Sequence, residues 1–97
     1  MQIQVFMGNA GDGHTNKLQS VQDRLDLAGQ RAPIIQAGAY AEDGLLQMLE
    51  VRAAAGQREI LVDECSRQQI LRVLEWQSCV EHESRFDGLV IHLARKD

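Results

Sequence analysis

The hydrophobic residues of this chain occur in two kinds of pattern that alternate along its length. Four short apolar runs are typical of strands in a sheet covered on both faces, and they lie at 2–7, 33–37, 59–63 and 89–93. Three longer segments repeat their apolar residues every three or four positions, as amphipathic helices do, and they span 15–28, 42–55 and 66–80. The pattern predicts the element order βαβαβαβ.

Glycine and serine mark the ends of these elements. Gly29 and Gly56 stand where the first two helices are expected to end, and Ser66 is a predicted N-cap of the third. Strands joined by helices of this length form a parallel sheet, because each crossover is long enough to return the chain to the same edge. The sequence therefore predicts an α/β fold: an open four-stranded parallel sheet with helices on both faces, in a single domain over 1–97.

A glycine-rich loop follows the first predicted strand. Glycines let backbone N–H groups converge on one point, and the N-terminus of the next helix adds about half a positive charge there. We therefore predict a phosphate-binding loop formed by Gly8, Gly11, Gly13, His14 and Thr15. A plain strand-to-helix turn is the alternative for the same residues.

Two motifs resemble those of the P-loop NTPase superfamily. Residues 8–15 (GNAGDGHT) fit the pattern G-x-x-x-x-G-K-[ST] at every defined position except that of the lysine, where His14 stands. Residues 60–64 (ILVDE) resemble the Walker B strand. Gly8-Asn9 and the segment 27–36 (LAGQRAPIIQ) also show a faint similarity to corrinoid adenosyltransferases.

The P-loop resemblance implies a ligand, a metal ion and roles for three residues. The ligand would be ATP or GTP with Mg²⁺, the metal ion would be held by Thr15 and Asp63, and Glu64 would be the catalytic residue that orients water. Two strand orders fit, 2-3-1-4 as in P-loop kinases and 2-1-3-4 as in flavodoxin-like folds. Because both orders place the third strand beside the first, Asp63 is expected next to the glycine loop.

Histidine at position 14 weakens the prediction of nucleotide binding. A neutral imidazole lacks the permanent charge of lysine, and Asp12 adds a negative charge to the same loop. Unit charges about 4 Å apart interact by about 4 kcal/mol at an effective dielectric of about 20, so both changes together weaken phosphate binding roughly thousands-fold. Lys17 lies about 4.5 Å further along the helix and compensates only if the loop is rearranged. Whether the loop binds ATP, GTP, phosphate or no ligand stays open.

The acidic residues also allow a metal site of another kind. Asp12, His14 and Asp63 would supply oxygen and nitrogen ligands to a divalent ion if the loop and the third strand meet. A solvated acidic pair at a strand end is the alternative for Asp63 and Glu64.

The cysteines and the remaining histidines form no recognisable site. Cys65 and Cys79 lack C-x-x-C spacing, and we predict both as buried thiols. Cys65 has no identifiable basic partner, which argues against a Cys-His nucleophile. His82 is predicted on the surface and His92 at an edge strand.

Charge and hydropathy argue against two classes of partner. Ten basic and fourteen acidic residues are scattered along the chain and give a net charge of -4, without the basic cluster that sequence-independent nucleic-acid binding requires. No apolar run reaches the roughly 20 residues of a membrane-spanning helix, and the N-terminus lacks signal-peptide features. We therefore expect a cytoplasmic protein without nucleic-acid or membrane contacts.

The missing lysine favours a non-catalytic interaction or regulatory protein over an enzyme. A protein partner or a second copy is then expected at Trp76 and at the predicted edge strand 89–93, because an open edge can pair with another chain. The alternative is a small nucleotide-binding protein that hydrolyses NTP slowly with Asp63 and Glu64. A metal-dependent enzyme that uses the same two carboxylates is a third hypothesis.

Overall fold

A computed structural model describes residues 1–6 and 14–96 of the chain, without the side chains of 14–16. The strands are β1 (Gln2–Phe6), β2 (Ile35–Gln36), β3 (Glu59–Cys65) and β4 (Val90–Arg95). The helices are α1 (His14–Leu27), α2 (Glu42–Ala54) and α3 (Arg67–Val80), with short 3-10 turns at Ala37–Ala39 and Ser84–Phe86. This order confirms the predicted α/β class and the alternation of strands and helices.

The strands form one parallel sheet in the order β1-β4-β3-β2. Both predicted orders were wrong, because β4 lies between β1 and β3. The physical reason lies in the side chains: residues 91–94 of β4 are all buried, as a central strand requires, whereas β1 carries Gln2 and Gln4 on one face and tolerates an edge. At about 4.8 Å per strand, β1 and β3 lie about 10 Å apart.

Helices cover both faces of the sheet, as predicted. Leu18 and Leu25 of α1 pack against Leu61 and Ala94 on one face. The other face carries α2 and α3, in a larger cluster that includes Ile60, Val62, Ile91 and Leu93. The chain passes from β1 at one edge of the sheet to β2 at the other edge, and then returns in the opposite direction through β3 to β4. Because all three crossovers are expected to be right-handed, the reversal of direction places α1 on one face of the sheet and α2 and α3 on the other. Within the described ranges, none of the helices has the length and apolar character to cross a bilayer.

The predicted helix ends are confirmed. Gly29 and Gly56 have φ angles of 77° and 96°, a left-handed conformation that favours glycine, and each stands two residues after the last residue of its helix. The Ser66 side chain accepts a hydrogen bond from the Gln69 N–H, and the Gln69 side chain accepts one from the Ser66 N–H. This reciprocal capping box begins α3 where the sequence predicted it.

The residues predicted as docking sites lie in the interior instead. Trp76 is 5% exposed, its ring meets Phe86 edge to face at 5.2 Å, and its Nε1 donates to Glu50 at 3.1 Å. Strand β4 has a neighbour on each side, so the predictions of an edge strand there and of an edge position for His92 were wrong. The strands at the two edges of the sheet are β1 and the two-residue β2.

Candidate functional site

The predicted phosphate loop lies between β1, which ends at Phe6, and α1, which begins at His14. The strand before the predicted loop and the helix after it therefore lie where the sequence predicted them. Several predicted site groups lie outside the described residues: Gly8, Gly11, Asp12, Gly13 and the side chains of His14 and Thr15. Phosphate binding by this loop and Mg²⁺ binding by Thr15 stay predictions.

Lys17, the predicted substitute for the missing lysine, points towards the end of β1. Its ammonium nitrogen lies 5.5 Å from the centroid of the Phe6 ring, a cation–π distance. Phe6 in turn stacks on His92, with ring centroids 6.3 Å apart and planes 13° from parallel. Lys17 therefore carries its charge to the residue after which the loop begins.

Asp63 and Glu64 lie at an irregular end of β3. The register between β3 and β4 shifts between Val62 and Cys65, as in a β-bulge. Glu64 has a φ of 57°, and the N–H of Glu64 donates to the Asp63 carboxylate at 2.8 Å. Left-handed backbone costs a residue with a Cβ about 1–2 kcal/mol, so this strand end is locally strained.

The two carboxylates point to different sides of the sheet. Alternation along β3 places Asp63 with Leu61 on the α1 side, where it is buried. Glu64 is exposed and lines a hollow of about 430 Å³ beside α2 and α3, together with Glu42 and Lys96. The structure therefore does not bring Asp63 and Glu64 together at one ligand-sized space. Among the described residues, no group of three or more His, Cys, Asp or Glu side chains could hold a metal ion.

The strain at position 64 yields a stability prediction. Glu64→Gly is expected to raise the free energy of unfolding by about 0.5–1 kcal/mol, because glycine adopts a φ of 57° without a Cβ clash. Glu64→Val is the control and should lower it, since β-branched residues tolerate this conformation least. Urea unfolding measures both; a destabilised glycine variant would mean that the Glu64 side chain stabilises the fold more than the strain costs.

The cysteines differ in exposure. Cys65 is buried and Cys79 is exposed, so the prediction of a buried thiol was correct for the first and wrong for the second. Burial, with a smaller contribution from the charge of Asp63, raises the pKa of the Cys65 thiol to about 12.

Only one thiol should therefore react in the folded protein. With N-ethylmaleimide at about pH 8, Cys79 is expected to be modified at least about 1000-fold faster than Cys65, because the thiolate is the nucleophile. Peptide mass spectrometry after a timed reaction measures both rates, and a urea-unfolded sample, in which both should react, is the control. Equal rates in the folded protein would contradict the burial of Cys65.

A polar network on the α1 face joins residues that the sequence did not single out. The Arg24 guanidinium donates two hydrogen bonds to Glu59, at 2.9 and 3.3 Å, and His92 Nε2 lies 3.1 Å from the same carboxylate. The His92 ring is buried, and its Nδ1 has no hydrogen-bond partner within the described part of the chain. In the sequence, this network is indicated only by Glu59 and His92, each a polar or charged residue in a predicted apolar strand.

Glu59 makes the stability of the fold depend on acid pH. The hydrogen bonds from Arg24 hold the pKa of Glu59 below its ordinary value of 4.5, against the opposing effect of burial. A carboxylate with a lowered pKa stabilises the fold above its unfolded-state pKa, and this stabilisation is lost as the pH falls through the folded-state pKa. The stability advantage of the wild type over Glu59→Gln should therefore be present above the ordinary carboxyl pKa of 4.5 and decline as the pH falls below it through the lowered folded-state pKa of Glu59. Thermal unfolding across this range measures it, and an unchanged advantage at about pH 3 would contradict the role of the ion pair.

Within the described residues, one edge of β1 pairs with no strand, and this edge forms a continuous surface with the adjoining side of α3, which we name the β1–α3 surface. The Gln2 N–H donates to Leu89 O of the segment leading into β4, so by alternation the N–H groups of Ile3 and Val5 point away from the sheet. Beside them, Leu71 is 54% exposed on α3. A groove of about 200 Å³ is lined by Val5, Ile70, Leu71 and Leu74, with guanidinium groups contributed by Arg67 and Arg95.

Comparisons of the chain with protein-family models, with curated proteins and with solved structures found no match.

Proposed function

We propose that this chain is a non-catalytic interaction protein that binds another polypeptide at the β1–α3 surface. The observation that carries the proposal is the composition of the edge: residues 2–6 of β1 (QIQVF) contain neither a charge nor a proline. Proteins that avoid edge pairing commonly place lysine, proline or a bulge on such a strand. An edge that has none of these devices and lies beside exposed leucines is suited to strand addition by a partner.

In this proposal the glycine loop contributes weak phosphate binding or none. Two features of the sequence support the low affinity. His14 stands where the P-loop pattern has lysine and so supplies no permanent positive charge, and Asp12 adds a negative charge to the same loop. A phosphate group at this loop would therefore meet less attraction and more repulsion than the pattern implies.

Site-specific photo-crosslinking tests the proposed surface. A photoreactive amino acid replaces Leu71 in one variant and Val51, which is 61% exposed on α2, in a matched control. In the cells that produce the protein, irradiation of the Leu71 variant is expected to give a discrete adduct, and irradiation of the Val51 variant to give none. Absence of an adduct from Leu71, or the same adduct from both positions, would contradict docking at the β1–α3 surface.

Slow NTP hydrolysis with Asp63 and Glu64 is the second candidate function. It is favoured by the strained backbone at Glu64, because such conformations concentrate at functional sites. It is also favoured by the burial of Asp63 on the face that α1 covers. The metal ion would be held by Asp63 and Thr15.

Titration with Mg-ATP, Mg-GTP and inorganic phosphate distinguishes the two candidates. The amide signals of residues 8–15 in isotope-labelled protein are the readout. Chemical-shift changes of these amides that saturate at submillimolar ligand would support nucleotide binding. Unchanged amide signals would rule out the second candidate function. The double variant His14→Lys/Asp12→Ser is expected to bind if the loop has the shape of a phosphate loop, since it regains a positive charge and loses a negative one.

A further inference from the structure

We infer that the polypeptide bound at the β1–α3 surface is a second copy of this chain, related by a two-fold axis that joins the two sheets edge to edge. This inference rests on the proposed function, because it names the partner for the same surface. Closed two-fold dimers require a surface that is complementary to itself, so that residue i meets residue j and j meets i. Strand β1 and helix α3 can each pair with their own copy about the same two-fold axis.

The two elements run side by side in opposite directions. At the end of β1 that leads to the loop, Val5 shares a groove with Leu71 and Leu74. At the other end, Met1 shares a hollow with Ser78 and Glu81.

The midpoints of the two elements therefore lie at one level. From Met1 to Val5 the strand advances about 13 Å. From Leu71 to Ser78 the helix advances about 10 Å. A single axis that passes between the midpoint of the strand, Ile3, and Leu74 relates both elements to their copies.

The exposed side of α3 is self-complementary about Leu74. Four residues of α3 and its C-cap, at alternating steps of four and three, face away from α2 and form one stripe: Arg67, Leu71, Leu74, Ser78 and Glu81. The α2 side of the helix is occupied by Arg72, which pairs with Asp43, and by Trp76, which contacts Glu50. Antiparallel pairing about Leu74 sets each Arg67 opposite the Glu81 of the other copy and each Leu71 opposite Ser78.

The charges at the two ends of the stripe are available for this pairing. Across the described residues, Arg67 and Arg95 take part in no ion pair. Glu81 lies 3.5 Å from Nε2 of His82, and both side chains are exposed. The groove that Arg67 and Arg95 line on one copy therefore faces the hollow that Glu81 lines on the other, twice in each dimer.

The backbone of β1 supports the same axis. The outward N–H and C=O groups of Ile3 face those of Ile3 in the second copy and form a hydrogen-bonded antiparallel pair. The next outward groups pair the Val5 N–H with the Met1 carbonyl of the other copy. That carbonyl already accepts a bond from Gln77 at 3.2 Å and has a second lone pair for Val5.

Charge reversal at the stripe tests the dimer by sedimentation velocity. Arg67→Glu and Glu81→Arg are each expected to raise the dimer dissociation constant about tenfold, because each variant creates two like-charge contacts. A 1:1 mixture of the two variants should form heterodimers about as tightly as the wild type. In the heterodimer the introduced glutamate of one copy meets the introduced arginine of the other, and the native Arg67 meets the native Glu81. Arg31→Glu, a charge reversal away from this surface, is the control and should leave the dissociation constant unchanged.

Leu74 provides a second test, because it faces itself across the axis. Leu74→Glu should weaken the dimer at least about 100-fold, and Val51→Glu on α2 should have no effect. Circular dichroism verifies that both variants are folded.

The outcomes separate this inference from the proposed function. The two-fold dimer is overturned if the wild type stays monomeric up to about 1 mM. It is also overturned if the 1:1 mixture of Arg67→Glu and Glu81→Arg dimerises no more tightly than either variant alone. If Leu71 then crosslinks to a protein of another mass, the docking surface stands and its partner is different. If Leu71 crosslinks to nothing, both proposals fall.

Discussion

Trp76→Ala is expected to lower the free energy of unfolding by about 3–5 kcal/mol, the range for a buried large aromatic residue. Trp76 is among the largest side chains of the α2–α3 cluster, where it packs edge to face on Phe86 and donates a hydrogen bond to Glu50. Alanine leaves a cavity between the two helices and a partly buried carboxylate without its donor. Because small domains have only about 5–15 kcal/mol of stability, this loss removes a large share of it and should lower the midpoint of unfolding markedly.

Urea unfolding followed by circular dichroism measures this loss. Trp76→Phe is the control, since it keeps most of the apolar volume and loses the hydrogen bond, and it should cost about 1–2 kcal/mol. If Trp76→Ala were destabilised by less than about 1 kcal/mol, the tryptophan would not belong to the core. A role in partner binding, which the sequence allowed, would then regain support.

Gln69→Leu is expected to cost about 2–4 kcal/mol although it changes the side-chain volume little. The Gln69 amide donates to the carbonyls of Ala37 and Tyr40, at 2.8 and 2.9 Å, and its oxygen accepts from the Ser66 N–H at 2.9 Å. Leucine leaves buried backbone groups without partners, which costs about 1–3 kcal/mol for each fully desolvated group. The connection between β2 and α2 should therefore loosen together with the start of α3.

Ser66→Ala is the control for this prediction. It removes the other half of the capping box, in which the serine hydroxyl accepts from the Gln69 N–H at 3.1 Å, and should cost about 1 kcal/mol. Urea unfolding compares the two variants. A Gln69→Leu variant no less stable than Ser66→Ala would show that the bonds to Ala37 and Tyr40 contribute little.

The element order was predictable because it depends on local pattern, and the strand order was harder because it depends on which strands are most deeply buried. Gly29, Gly56 and Ser66 mark helix ends through conformations that each residue adopts on its own. The continuous burial of β4 and the glutamines of β1 did carry a signal for centre and edge. The P-loop-like motifs favour a different order, in which the third strand lies beside the first.

The contacts between residues that lie far apart in the chain could not be predicted from the sequence. Glu59 and His92 meet because β3 and β4 pair in one register, and a shift by one residue would have turned His92 to the other face. Asp63 and Glu64 look like an adjacent pair in sequence, but strand alternation and the bulge direct them to different sides. The docking surface likewise depends on β1 lying at the edge beside α3, which follows only from the strand order.

Amide hydrogen exchange at the edge of β1 tests most directly whether a second polypeptide joins the sheet there. The Gln4 amide should exchange slowly at every protein concentration, because its N–H faces β4. The Ile3 and Val5 amides should exchange rapidly at low micromolar concentration and become protected as the concentration rises towards the millimolar range. Rapid exchange of both amides at all concentrations, in a protein that sediments as a dimer, would show that the copies meet elsewhere. Rapid exchange in a protein that remains monomeric would contradict self-association.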